Sequence, residues 1–132
     1  MADLFALADP DKAVMVVKHQ QPETEKTKMD GQEQTFYPRK NWSSVMLWNC
    51  DHPANHRLSL QDVNERPGRD LHRFYWLNDS EIGELPAEFN WLVNVQPKPV
   101  TPKIAHFTLG GPFTPGWKPQ EHDELWLEAA NS

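Results

Sequence analysis

The segment Lys12–Lys18, KAVMVVK, decides the fold of this chain because it holds one of the two longest uninterrupted apolar runs, from Ala13 to Val17. The run is rich in β-branched valines, which is typical of a strand that is covered on both faces of its sheet. It is far shorter than the roughly 20 apolar residues that a membrane-spanning helix requires. The segment therefore predicts a central strand and no membrane span.

Two further strands are predicted along the chain. Ser43–Cys50 (SSVMLWNC) is an apolar stretch that ends at turn-forming residues, and Lys103–Leu109 (KIAHFTL) ends sharply at two glycines and a proline. Between them, Asp79–Asn90 contains a glycine and a proline and leaves room for a single turn at most. We therefore expect three strands.

Short helices are predicted between and after the strands. Ser59 and Asp62 have the spacing of a capping box that opens a helix through Glu65. Arg69–Leu77 offers a second helix with one apolar side, and residues 120–132 form a C-terminal helix or tail. Because strands alternate with helices and no hairpin dipeptide joins them, we expect a mixed α/β sheet in a single domain over residues 1–132. Residues 19–38 are polar and without periodicity, which is typical of a functional lid or of a disordered loop.

Composition limits the functional classes. The chain has 132 residues, a net charge of −6 and 38% hydrophobic residues. An excess of acid argues against binding to a nucleic-acid backbone, which needs clustered lysines and arginines. The acidic amino terminus does not resemble a secretory signal, and the single Cys50 fits a reducing compartment. We therefore expect a soluble, cytoplasmic protein.

Two small clusters of possible metal ligands are better explained as turns. Cys50, His52 and His56 could bind zinc, but a structural zinc site normally needs a fourth ligand, and the sequence has no second cysteine. Asp9 and Asp11 flank a proline, which favours a solvated loop over a cation site.

The end of the third predicted strand is the strongest local candidate for a binding site. His106 could offer an imidazole nitrogen to a metal, and Gly110 and Gly111 would let an anionic ligand approach backbone N–H groups. A diphosphate or other phosphate group is the expected ligand. Without further support, a histidine beside a tight turn explains the same residues.

Three segments together resemble a known family. Asn41–Asn49 (NWSSVMLWN), Leu85–Asn90 (LPAEFN) and Ile104–Phe107 (IAHF), the last followed by Gly110–Gly111, occur in the order found in retaining nucleotide-sugar glycosyltransferases. The resemblance is to the glycogenin and lipopolysaccharide galactosyltransferase type. The whole run also resembles bacterial and phage glycosyltransferase-like proteins.

The resemblance implies a partial GT-A fold that lacks the N-terminal nucleotide-binding half and its metal-binding D-x-D motif. It implies that His106 is a ligand of Mn²⁺ or Mg²⁺ and that Gly110 and Gly111 meet the diphosphate. It further implies that Asn41, Ser44 and Asn90 lie near the donor and acceptor sugars.

Two functions follow from these expectations. In the first, the chain is the acceptor-side half of an enzyme that transfers a sugar from a nucleotide-diphosphate donor, and it needs a partner that carries the D-x-D half. In the second, it is a non-catalytic structural or interaction module. Either way, we expect a homo-oligomer or a protein partner to cover an exposed sheet edge.

Overall fold

The computed structural model describes residues 1–20 and 39–132 and shows a small mixed α/β fold. One sheet has the strand order β2–β1–β3, formed by Leu47–Trp48 (β2), Val14–Val16 (β1) and Ile82–Glu84 (β3). β1 pairs antiparallel with β2 and parallel with β3. A second sheet pairs Trp91–Leu92 (β4) with Ala105–His106 (β5) in parallel.

The prediction of a central strand covered on both faces is confirmed. Val14 and Val16 are fully buried in one apolar cluster, which includes Phe74, Trp76 and Ile82. Met15 and Val17 alternate with them and are buried in a second cluster, which contains Leu4, Leu85 and Phe89. Because successive side chains of a strand point to opposite faces, one short strand organises two small cores.

The helices are short, and they are Ala2–Phe5 (α1), Leu60–Glu65 (α2), Gly68–His72 (α3) and Asp123–Ala130 (α4). The predicted capping box is present, since Ser59 and Asp62 each accept a hydrogen bond from the other's backbone N–H. Residues 120–132, for which we expected a helix or a tail, contain α4.

Among the described residues, none of the helices combines the length and the apolar character needed to cross a bilayer.

The predicted second helix, Arg69–Leu77, is too long. α3 ends at His72, and Phe74 has a φ of 55°, which is incompatible with continuing the helix. Phe74 is 1% exposed, so burial of its ring in the core holds this unfavourable backbone conformation.

The predicted strands differ from the observed ones in extent and in pairing. Ser43–Cys50 is mostly not a strand, because Trp42–Ser44 forms a 3-10 turn and only β2 is extended. Lys103–Leu109 contributes only β5, which pairs with β4 in the second sheet and not with β1. The three predicted strands therefore do not form one sheet.

Strand β3 lies where a single turn was expected. A Cβ atom at Gly83 would lie 2.8 Å from the Cγ of Met15 and 2.9 Å from the Cγ of Lys12. The glycine is therefore needed for close packing between β3 and β1, and it does not mark a turn.

The predicted polar loop 19–38 lies, apart from residues 19 and 20, outside the described residues. The single-domain organisation remains a prediction.

Candidate functional site

A polar cleft lies between the Trp42–Ser44 turn and the end of β5. Its volume is about 370 Å³, and none of the described residues that line it is an Asp, Glu, Lys or Arg. The lining residues carry hydroxyl, amide, imidazole and aromatic groups, and they are Asn41, Ser43, Ser44, His72, His106, Phe107 and Thr108.

Local backbone chemistry forms one wall of the polar cleft. Asn41 precedes the turn with a φ of 64°, a left-handed conformation that asparagine adopts more readily than most residues. The Ser44 hydroxyl donates to the Asn41 carbonyl oxygen at 2.7 Å and accepts from Nδ2 of Asn90 at 2.7 Å. Asn90 is 1% exposed, so a buried amide fixes the position of Ser44. Three of the predicted site residues are thus joined by hydrogen bonds.

The opposite wall comes from β5. His106 ends this strand and pairs in register with Leu92, and Phe107 and Thr108 follow it into the cleft. The fold therefore brings together Asn41, Ser44 and His106, although 65 residues of sequence separate the first from the last.

His72 is a cleft residue that sequence analysis missed. Its Nδ1 lies 2.8 Å from the Ser43 hydroxyl, within hydrogen-bonding distance. His72 ends α3, and its partner is 29 residues earlier in the chain, so no local pattern could have joined the two.

Gly110 and Gly111 do not line the polar cleft. The Gly110 N–H donates to the Phe107 carbonyl oxygen at 3.1 Å, and the Gly111 N–H donates to Oγ1 of Thr114 at 3.2 Å. A Cβ atom at Gly111 would lie only 2.5 Å from the Trp126 ring, so tight packing explains this glycine. Both amides are engaged within the chain, and a role in diphosphate binding stays a prediction.

The described residues around His106 do not fit Mn²⁺ or Mg²⁺. In residues 1–20 and 39–132, no three His, Cys, Asp or Glu side chains lie close enough to hold a metal ion. The described lining of the polar cleft offers a second histidine, His72, but no carboxylate, whereas these cations favour oxygen ligands.

Of the two minor clusters, Asp9 and Asp11 lie in a turn, whereas Cys50 and His52 precede the 3-10 helix Pro53–Arg57, which contains His56. Oδ1 of Asp9 accepts from the Asp11 N–H at 2.9 Å, and Nδ1 of His52 accepts from the Ala54 N–H at 3.1 Å.

Comparison with known proteins gives one clear similarity. The chain is 48% identical over 130 residues to Protein CDI of Arabidopsis thaliana, and the match covers 95% of this chain and 50% of that protein. The chain thus spans about half the length of the curated relative it matches. No family model matches the sequence, and no solved structure matches it.

These findings correct the glycosyltransferase resemblance. A relative that matches nearly the whole chain carries another name, and neither a glycosyltransferase family nor a glycosyltransferase structure matches. The expectation of a bacterial or phage source is also wrong, because the matching relative is a plant protein. The physical reason is that the matched segments are short. One of them, Asn41–Asn49, contains a 3-10 turn and a two-residue strand, whereas we expected one continuous strand over Ser43–Cys50.

Proposed function

We propose that the chain is a binding module whose polar cleft takes a neutral, hydroxylated small molecule of the carbohydrate class. The proposal is limited to binding, because the described residues around His106 supply no metal-binding carboxylate for a sugar-transfer step.

The observation that carries the proposal is the composition of the cleft lining. Hydroxyl and imidazole groups both donate and accept hydrogen bonds, as sugar hydroxyls do, and an aromatic ring offers an apolar surface for the C–H face of a sugar. Within residues 1–20 and 39–132, no Asp, Glu, Lys or Arg lines the cleft, so the described lining favours a neutral ligand. The buried link from Asn90 to Ser44 holds one wall in place before a ligand arrives.

Binding can be tested by saturation-transfer NMR with glucose, galactose and N-acetylglucosamine at millimolar concentrations. We expect transfer from the chain to at least one sugar. Ser43→Ala and His72→Ala should each weaken binding about tenfold, which is the effect of losing one well-placed hydrogen bond.

Ser80→Ala is the matched control, because Ser80 is exposed and lies outside the polar cleft. It should leave sugar binding unchanged. Absence of transfer to all three sugars, or equal transfer in the double variant Ser43→Ala/His72→Ala, would contradict the proposal.

A second candidate function is that of an interaction module, and an apolar groove beside α4 favours it. The groove is lined by residues of β5, of the following loop and of α4, which are Ala105, Phe107, Phe113, Leu125, Trp126, Ala129 and Ala130. Phe113 is 69% exposed. Glu124 and Glu128 lie on the adjoining face of the same helix, which has no basic residue in its last turn. Charge complementarity therefore favours a partner segment that is both apolar and basic.

A helical peptide of leucine and lysine should bind the groove, and a leucine and glutamate peptide of the same pattern should not. Phe113→Asp should abolish this difference. Equal binding of both peptides would contradict a basic partner. Sedimentation experiments could instead show a concentration-dependent dimer that Phe113→Asp dissociates, and this result would also contradict a basic partner and would favour a second copy of the chain in the groove.

The cytoplasmic location remains a prediction.

A further inference from the structure

The polar cleft contains a serine and a histidine in the arrangement of a nucleophile and its base. Oγ of Ser43 lies 2.8 Å from Nδ1 of His72, a distance at which a serine can pass its proton to an imidazole. Both residues line the cleft, so a molecule that binds there lies beside the pair. Ser43 is half-buried and His72 is exposed. Solvent and ligands can therefore reach the pair.

The backbone on each side of the pair is held in place by buried groups. Ser43 is the middle residue of a 3-10 turn, and the next residue of that turn accepts a hydrogen bond from the buried Asn90 amide. His72 is the last residue of α3, which ends just before the buried ring of Phe74. The hydrogen bond between Ser43 and His72 thus joins two anchored segments.

The tautomer of His72 decides whether its ring acts as a base. A neutral imidazole carries one ring proton, and with this proton on Nε2 the Nδ1 atom accepts the proton of Ser43. Because His72 is exposed, water can move the ring proton from one nitrogen to the other. The Nε2–H form is the one that general base catalysis requires.

The remaining lining of the cleft suits the acyl-transfer chemistry of a neutral ester. Asn41 and Thr108 line the cleft together with Ser43, and an amide N–H or a hydroxyl can donate to the oxyanion that forms during acyl transfer. Among the described lining residues there is no Asp, Glu, Lys or Arg, which favours an uncharged substrate. The same part of the chain offers no carboxylate to orient the imidazole, so we expect slow turnover.

We propose that Ser43 is a nucleophile towards neutral carboxylic esters and that His72 is its general base. Oγ of Ser43 forms a bond to the acyl carbon while its proton passes to Nδ1 of His72. The bond from the acyl carbon to the alcohol oxygen then breaks, and the alcohol leaves with that proton. Water cleaves the acyl-serine by the same route, so ester and water become carboxylic acid and alcohol. The choice of a sugar ester as substrate rests on the proposed function, whereas the nucleophile does not.

A fluorophosphonate probe tests the nucleophile in the full chain, because it bonds to an activated serine and releases fluoride. We expect peptide mass spectrometry to find the label on Ser43 and not on Ser44. His72→Gln keeps a hydrogen-bonding side chain but removes the base, and it should slow labelling about a hundredfold. His56→Gln is the matched control, because His56 is exposed and lies outside the cleft, and it should leave the rate unchanged.

Two neutral esters test turnover, namely 4-nitrophenyl acetate and 6-O-acetylglucose. Acetate release is followed by ¹H NMR, and we expect it from both esters with the parent chain and only at the background rate with Ser43→Ala. Imidazole added to His72→Ala should restore part of the labelling rate. A purely structural role of His72 would not explain such a rescue.

Three results would overturn the inference: no label on Ser43, a labelling rate that His72→Gln leaves unchanged, or no acetate release from either ester. Sugar binding without labelling would overturn this inference alone and leave the proposed function intact. Labelling and hydrolysis of 4-nitrophenyl acetate without sugar binding would support the nucleophile and contradict the proposed function.

Discussion

The burial of His19 makes the stability of the protein depend on pH. Its pKa in the folded state is lowered from 6.5, first because burial disfavours the charged ring. Below about pH 6.5 the unfolded chain therefore takes up a proton that the folded chain does not. We expect the free energy of unfolding to decrease as pH falls through this range, and denaturant titrations between about pH 5 and about pH 8 would measure it.

His19→Gln should flatten this decrease, whereas His56→Gln, at an exposed position, should preserve it. An unchanged pH profile in His19→Gln would show that another group controls the decrease.

Gly111 is expected to tolerate no side chain. An added Cβ would lie 2.5 Å from the Trp126 ring, so Gly111→Ala should lower the free energy of unfolding by about 1–3 kcal/mol, a typical cost of overpacking. At Gly68, the nearest atom to an added Cβ is 3.8 Å away, and Gly68→Ala should be neutral or slightly stabilising. Urea denaturation of the two variants measures the difference. Equal stability of both would contradict the packing explanation.

Asn41 and Ser44 were named as site residues only through the glycosyltransferase resemblance, and their role at a binding site stays a prediction. Their proximity has a local cause, since a tight turn joins them. The contact of His72 with Ser43 depends on where α3 ends, which in turn depends on the buried ring of Phe74. No pattern within a short stretch of sequence contains that information.

The element with the clearest local signal is α2, whose N-terminus depends on Ser59. We expect Ser59→Ala to lower the free energy of unfolding by about 1 kcal/mol, because the Asp62 N–H loses its acceptor. Hydrogen bonds from the Tyr75 side chain and then from Ser59 hold the pKa of Asp62 below its usual 3.8. Stability from Asp62 is therefore present above about pH 3.8 and is lost as pH falls, so the effect of Ser59→Ala should shrink in acid.

Thermal denaturation at neutral and acidic pH measures this effect, and Ser80→Ala is the matched serine control. A loss for Ser59→Ala that does not change with pH would contradict the role of the Asp62 carboxylate.

Sequence analysis predicted the helices and strands whose own residues carry an apolar run or a cap. It did not predict the strands that form only because another segment packs against them or pairs with them. β1 has its own apolar run and α2 has its own cap. β3 contains Gly83, which resembles a turn residue until Met15 is known to pack against it. β4 is two residues long and is a strand only because β5 pairs with it.

For the whole molecule, the alternation of short strands and helices predicted a mixed α/β fold but not its division into two sheets. Strand pairing between distant segments is decided by tertiary packing, and β5 paired with β4, which the sequence did not reveal. The same limit applies to the polar cleft, which forms where the Trp42–Ser44 turn approaches β5.

The two apolar cores should unfold together because β1 contributes side chains to both. Phe89 lies in one core, and the stacked rings of Trp48 and Trp76, 6.0 Å apart, lie on the side of the other. Phe89→Ala should cost about 3–5 kcal/mol, and tryptophan fluorescence should report the same midpoint as far-UV circular dichroism. Phe89→Leu provides a milder variant if the first does not fold, and Phe113→Ala, at an exposed ring, should change stability little. Separate midpoints for the two signals would show that the cores are independent and that a three-residue strand is too short to couple them.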